Sequence, residues 1–503
     1  MSSQTANALT QLDNAKLSRT HWKVWFLSAM GIFLDGFDLF IIAVALPLII
    51  REFHPSHLLA GLIVSAAPLG CILGASVFGR LTDKLGRKKL LLLDLLFFVI
   101  FAGLTAFAWS AASLIVFRFL LGIGIGADYP VSSTYITENM PKKIRGKMLI
   151  SGFGFQAFGL LAAAAIGWII LEIYPEVAAW RWMLGIAVFP AIIILFFRLT
   201  LPESTRWLIH KGKNDKAAEV ASKMTGRKIK LEALQAAEHS TFLDLFKPRY
   251  VRRTILTAST WFIMDVAFYG IKFFVPVILG ILAFSHHGDF ISKDIASIKG
   301  SAFLDIFLVV GIILAVLIVE RWGRIKLQSV GFFGMTIGFC IIAASSLFPD
   351  QAFSIFLVFL GFILFNIMVN MGPNPITFLL PAELFPTHLR ATGHGFAAAS
   401  GKVGAALGGL LIPFLMATVG IPITMLVIGG FCFVGFVMTT VLGYETKGKS
   451  LDDDLSSIQT TMTEAEVALL NVQVDIRRLT DDISRVESAL NQAVVALKNQ
   501  RDK

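Results

Sequence analysis

Asp38, Asp128, Asp265 and Lys402 are ionisable side chains set inside apolar runs, each about the roughly 20 residues that cross a bilayer. A charge at the centre of hydrocarbon costs several kcal/mol unless it is paired or lines water, so residues of this kind mark ligand or ion paths. At about 1.5 Å of rise per residue from the nearest basic clusters, all four lie near mid-membrane depth. Asp35 stands one turn before Asp38 on a similar face, and Arg118 lies nearer the outer end of the helix that carries Asp128. The expectation is one wet chamber on which these acids and the single ammonium converge.

Trp261, Asp265 and Tyr269 fall at i, i+4 and i+8, a stripe of donors around one acceptor on a single helix face. An aromatic stripe alone would be packing; an aspartate in its middle points to a cavity wall. Gln156, and Asn374 in Gly372-Pro373-Asn374-Pro375, add neutral polar groups at similar depth, either lining the cavity or bonding helix to helix. Gly122, Gly124 and Gly126 before Asp128, and Gly401, Gly404 and Gly408 around Lys402, remove bulk so that helices can approach closely. Buried carboxylates change their proton affinity with burial and neighbouring charge, which suits them to carry protons. No nucleotide loop ending in Gly-Lys-Ser/Thr, no zincin helix and no nucleophile elbow appears. No cofactor, metal or enzymatic activity is expected, and energy would come from an ion gradient.

Holding these residues requires membrane-spanning helices. Of 503 residues, 56% are hydrophobic and 16% charged, with a mean hydropathy of +0.74, more apolar than a soluble core of this size needs. Lipid-exposed backbone must satisfy its own hydrogen bonds, so the apolar runs are read as helices. They fall near residues 24–50, 58–82, 89–110, 112–138, 146–172, 181–201, 254–282, 301–321, 326–348, 352–380, 390–418 and 421–443. The class is an all-α membrane protein with twelve transmembrane helices in two pseudo-symmetric six-helix bundles, 24–201 and 254–443. A Lys-rich linker with a short amphipathic helix, 202–253, joins them, and tails 1–23 and 444–503 flank them.

The net charge of +10 does not signal nucleic acid, because the basic residues gather in alternate loops: Lys84 to Lys89, Lys142 to Lys147, and the stretch from Arg206 to Arg253. That positive-inside bias predicts a multi-pass protein of the plasma membrane with both termini cytosolic. The first 23 residues lack the pattern of a cleaved signal. Cys71, Cys340 and Cys432, odd in number and inside apolar spans, suggest packing rather than disulfides.

An internal repeat supports the two halves. Asp83-Lys84-Leu85-Gly86-Arg87 recurs as Glu320-Arg321-Trp322-Gly323-Arg324, Glu138 with Arg145-Gly146 recurs as Glu383 with Arg390 and Gly393, and Pro202-Glu203-Ser204-Thr205 recurs loosely as Tyr444-Glu445-Thr446-Lys447. A carboxylate at a helix end beside guanidinium groups is what a cytosolic gate latch needs, although such charges also set topology. In the tail, Leu469, Val472, Ile476, Leu479, Ile483, Val486, Leu490, Ala493 and Leu497 alternate spacings of three and four. They predict a cytosolic coiled-coil-like helix over 464–499, serving self-association or a partner helix, or resting as one amphipathic helix on the helical bundles or the membrane.

Several motifs add a resemblance. Gly126-Ala127-Asp128-Tyr129-Pro130-Val131-Ser132-Ser133-Thr134 is similar to the GGDYPLSAT signature of the phosphate:proton symporter family of the major facilitator superfamily, found in fungi and plants, with Ala127 in place of the second glycine. FLDGFDLF in the first helix, STWFIMDVAFYG in the seventh and GPNPITFLLPAELFP in the tenth resemble the same family across about Gly31 to Lys449. The resemblance implies inorganic phosphate and protons as cargo. Tyr129, Gln156, Trp261, Asp265, Tyr269, Asn374 and Lys402 would surround the anion, and Asp38, with Asp35, Arg118 and Asp128, would form the proton path. Tyr444 departs from that family's PETKG motif, and the tail heptads are not part of its pattern.

Two other readings stand beside phosphate uptake. One keeps the fold and carries an organic acid, since Asp35-Gly36-Phe37-Asp38 also resembles aromatic-acid:proton symporters. The other is a nutrient sensor or scaffold that signals through its tail.

Overall fold

The computed structural model describes residues 9–229, 241–273, 275, 290–348, 350–449 and 451, with isolated tail positions 480, 484, 485 and 488. The heptad helix expected over 464–499 therefore lies, apart from those positions, outside the described residues. The chain divides into two compact units, Met1–Lys449 and Ser450–Lys503, and everything below concerns the first.

Among its described residues, twelve helices are long and apolar enough to cross a membrane. They are α1 (Arg19–Phe53), α2 (Leu59–Leu85), α3 (Arg87–Ala106), α4 (Ala111–Asn139), α5 (Lys142–Ile173), α6 (Ala179–Arg198), α7 (Pro248–Lys272), α8 (Ile298–Trp322), α9 (Arg324–Leu347), α10 (Ala352–Leu384), α11 (Arg390–Ile412) and α12 (Phe414–Leu442). Their outer faces carry large apolar side chains such as Phe189, Ile193, Phe196, Ile313 and Leu317, as lipid rather than water requires.

Some boundaries differ from expectation for local reasons. The first helix begins at Arg19 rather than near residue 24, because Ser18 caps it: its backbone N–H donates to His21 Nδ1 at 3.0 Å and its hydroxyl lies 2.7 Å from the same nitrogen. Pro248 at the first turn lets α7 start ahead of its apolar run. Between residues 390 and 442 the one non-helical position is Gly420, at φ +81°, close to the break expected between the last two helices. Cys71 and Cys432 are buried, whereas Cys340 is exposed and so faces outward rather than packing inside.

The two halves meet where α2 crosses α11 and where α5 crosses α8. At the first crossing a Cβ on Gly79 would lie 2.5 Å from Ala391 O, and one on Gly395 would lie 2.3 Å from Ala75 O. Only glycine permits this approach of backbones. The linker supplies two short helices, Thr205–His210 and Asn214–Thr225. Leu9 and Leu12 of the N-terminal segment pack with Trp207, Leu208 and Ile209 there.

Candidate functional site

Lys402 on α11 is 2% exposed. Its ammonium donates to Asp265 Oδ2 at 3.0 Å and to the Tyr269 hydroxyl at 3.1 Å, and it sits 4.3 Å from the centre of the Tyr269 ring and 4.7 Å from that of Tyr129. The helical spacing of Asp265 and Tyr269 thus delivers both to one cation. Gln156 Nε2 donates to the Tyr129 hydroxyl at 3.2 Å, bringing α5 of the first half to this seam. Trp261 completes the wall edge-on, its ring 6.1 Å from Tyr129 and 5.3 Å from His394. Its indole fits because residue 401 is glycine, where a Cβ would stand 2.4 Å from Trp261 Cδ1. Of the residues expected around an anion, six are gathered here. Asn374 instead donates to Asn370 Oδ1 at 2.7 Å within α10, one turn from Phe378, whose ring is 6.3 Å from Trp261.

The other acids do not join this group, so the expected single chamber is corrected. Arg118 donates to Asp38 Oδ2 at 3.2 Å, closing one buried pair. Asp128 faces a different partner, Arg198 at the end of α6, which donates to Asp128 Oδ1 and to Asp94 Oδ1, each at 3.2 Å. Asp35 lines a small cavity with Asp94, Asp128 and Arg198. A second narrow cavity, at the seam, is lined by Gly36, Gln156, Tyr269 and Lys272. The division follows from helix geometry: neighbours on a helix point about 100° apart. On α4, Asp128 is thereby directed into the first half while Tyr129 reaches the seam. On α1, Asp38 meets Arg118, while Asp35, one turn earlier, lines the small cavity that Arg198 also lines.

The latch residues form two cages with matching contacts. Arg87 donates from Nε and Nη2 to the two oxygens of Glu138, at 3.0 and 2.8 Å, and Arg324 does the same to Glu383, at 3.0 and 2.9 Å. Asp83 and Glu320, four residues earlier, accept from the same guanidinium groups at 3.1 and 2.8 Å. Glu203 accepts from the Arg87 N–H and Glu445 from the Arg324 N–H, while Ser204 and Thr446 donate to Glu138 and Glu383, each at 2.5 Å. Each cage turns on a glycine at positive φ, Gly86 at +107° and Gly323 at +88°. Arg390 crosses the seam to Glu138 at 2.9 Å, whereas Arg145, its counterpart in the repeat, donates to Asp13 of the N-terminal segment at 2.6 Å.

Sequence reasoning did not assign Arg198, Asp13 or the ion pair between Lys272 on α7 and Asp305 on α8. The signal for that pair was present: both stand in apolar runs, as Lys402 does. Asp94 is the single ionisable residue of the run Leu90 to Ala108, a signal that by itself assigns no role.

The profile of the sugar (and other) transporter family matches residues 24–454. The chain belongs to that family. A transporter rather than an enzyme, it is 32% identical over 501 residues to putative inorganic phosphate transporter 1-13 of Oryza sativa subsp. japonica, covering 93% of this chain and 97% of the relative. It is 31% identical over 503 residues to probable inorganic phosphate transporter 1-6 of Arabidopsis thaliana, covering 90% and 96%. It is also 30% identical over 439 residues to the putative metabolite transport protein YaaU of Escherichia coli, covering 87% and 95%. In fold it matches the major facilitator superfamily proton:xylose symporter XylE bound to 6-bromo-6-deoxy-D-glucose, with a TM-score of 0.72 at 20% identity over 87% of this chain and 98% of that one. This transporter is therefore a multi-pass membrane protein, with twelve spanning helices among its described residues in the fold of that symporter.

Proposed function

We propose that this transporter moves inorganic phosphate together with protons, by alternating access, into the cell across the plasma membrane. The observation that carries the reading is the group at the seam: one ammonium, one carboxylate touching it and a ring of neutral donors, Tyr129, Gln156, Trp261 and Tyr269. The phosphate transporters among its relatives support the same cargo.

The electrostatics are coherent. With Asp265 ionised, Lys402 is already neutralised and an incoming oxyanion meets a like charge. When Asp265 takes a proton, the ammonium is released to the anion and the carboxyl becomes a donor. Proton and anion then favour each other's binding, which is the thermodynamic content of symport. Phosphate can also offer a P–OH donor to the ionised carboxylate, which sulfate at neutral pH lacks. Asp38 with Arg118, and Asp35 with Asp128, are the further acids assigned to proton passage. The face bearing the basic loops and both latch cages is assigned to the cytosol; the cages hold that face closed, so the anion would enter from the opposite side.

The relative described as a metabolite transporter supports a second reading, in which the same frame carries an organic anion. Radiolabelled phosphate uptake into proteoliposomes under an imposed proton gradient, with arsenate, sulfate and benzoate as competitors, separates the two. Uptake blocked by arsenate but not benzoate is expected. Asp265→Asn and Lys402→Ala are each expected to abolish uptake in folded protein, and uptake retained in both variants would refute this assignment.

A further inference from the structure

Lys272 and Asp305 form an ion pair, 3% and 1% exposed, inside apolar helices. Taking two charges out of water costs several kcal/mol per ion, and an apolar pair of similar volume would hold α7 to α8 as well or better. Structure alone does not account for the pair. Its second carboxylate oxygen, Asp305 Oδ2, is buried and without a hydrogen-bond partner among the described residues, although a group so placed normally has one. Lys272 presents three donor hydrogens, and Asp305 is the partner recorded for them.

The position of Lys272 supplies the missing reason. Asp265, Tyr269 and Lys272 follow one another at i, i+4 and i+7 on α7, one face of the helix. Lys272 lines the narrow seam cavity together with Gly36 of α1, Gln156 of α5 and Tyr269. Gln156 and Tyr269 are the residues that link this cavity to Lys402. Seven residues at 1.5 Å rise put Lys272 about 10 Å along the helix from Asp265, towards the face opposite the latch cages. The same construction, a lysine neutralised by an aspartate of a neighbouring helix, thus occurs twice along one path.

We infer that Lys272, held by Asp305, is an outer anion-binding position that receives a phosphate-class oxyanion before it passes to Lys402. Asp305 keeps the ammonium neutral while the seam is closed. When the outer face opens, the anion competes for the ammonium in a setting where few other charges reach it, then moves inward past Tyr269 and Gln156. The inference rests on the anion-carrier reading above and adds to it a second site with a different side of access.

The test measures initial phosphate uptake against external phosphate in proteoliposomes, and separately phosphate exit from loaded vesicles. Removing Lys272 alone would strand Asp305, so the informative variant is the double neutral change Lys272→Met with Asp305→Asn, beside Lys272→Arg. The double variant is expected to raise the external KM about tenfold with maximal rate little changed and to leave the internal KM unaltered, whereas Lys272→Arg, which keeps a cation beside Asp305, is expected to retain an external KM near that of the wild type. A double variant with the wild-type external KM shows that the pair only joins two helices, and overturns the outer site. Wild-type protein that moves no phosphate overturns the substrate reading and the proposed occupant together, a result separate from the first.

Discussion

The two latch cages make the same contacts inside their own halves and unequal contacts across the seam. In the first cage, Asp83 accepts from the Thr392 N–H and hydroxyl, each at 2.8 Å, and from the Ala391 N–H at 3.3 Å, capping the start of α11 in the other half. Arg87 adds a bond to Thr387 O at 3.1 Å, and Arg390 returns to Glu138. In the second cage, Glu320 accepts from the Lys147 N–H at 3.3 Å, and Gly146 lies against the Arg324 guanidinium, with room for no Cβ. A carboxylate at a helix N-terminus satisfies orphan amides and complements the dipole, so both cages use one device. The difference teaches that the repeat encodes the cage, while the strength of the closure is set by what the opposite half presents.

The largest effect expected from breaking this comparison is on stability. Glu138 holds both Arg87 and Arg390, so Glu138→Ala removes a carboxylate shared by two buried guanidinium groups and should cost about 3–5 kcal/mol. Glu383→Ala leaves Arg324 with Glu320 and should cost less. Thermal unfolding of both variants in detergent checks the order, and an equal loss would mean that the cages are energetically equivalent.

A smaller effect falls on the conformational equilibrium. Asp83→Ala should shift the ratio of open to closed basic face by about fivefold to tenfold, in line with the loss of a helix cap, whereas Glu320→Ala should stay within about twofold. Spin labels at Lys143→Cys and Lys326→Cys would report the distance distribution. The comparison fails if the second substitution opens the face as far as the first.

The smallest effect concerns pH. His210 of the linker stacks on His388, which precedes α11, with ring centres 5.7 Å apart. Burial first, and then the facing His388, hold the His210 imidazole down at about 4, and burial lowers His388 as well. Both are neutral in the folded protein, whereas the unfolded chain takes up protons below its ordinary value of 6.5. This contribution to stability is therefore complete above that pH and is lost as pH falls from there towards about 4. Melting temperature should decline over that window and decline less in His210→Gln; parallel curves would remove the pair from the account.

Much of the molecule was legible in its residues. Spans could be read because lipid tolerates only self-satisfied backbone, so length and apolarity suffice. The paired segments at Asp83 and Glu320, Glu138 and Glu383, and Glu203 and Glu445 were visible as repeats, and they proved to be the parts of one cage each. The stripe Trp261, Asp265, Tyr269 could be placed on a face from its spacing alone. Asn374 was harder: its neighbour Asn370, one turn back on the same helix, takes its hydrogen bond, and only the packed structure chooses between partners at equal depth.

Amino-acid order by itself determined the class, the two halves, the depth of each buried charge and the helix face it occupies, since these follow from hydrophobicity, periodicity and a fixed rise per residue. Tertiary structure alone decided which charge meets which: that Asp128 goes to Arg198 and not to Lys402, that Arg145 turns to Asp13 while Arg390 crosses to Glu138, and that Lys272 finds Asp305. The reason is that pairing depends on how neighbouring helices are rotated about their axes, and a rotation of about 100°, one residue's worth, exchanges every partner while leaving depth and composition unchanged.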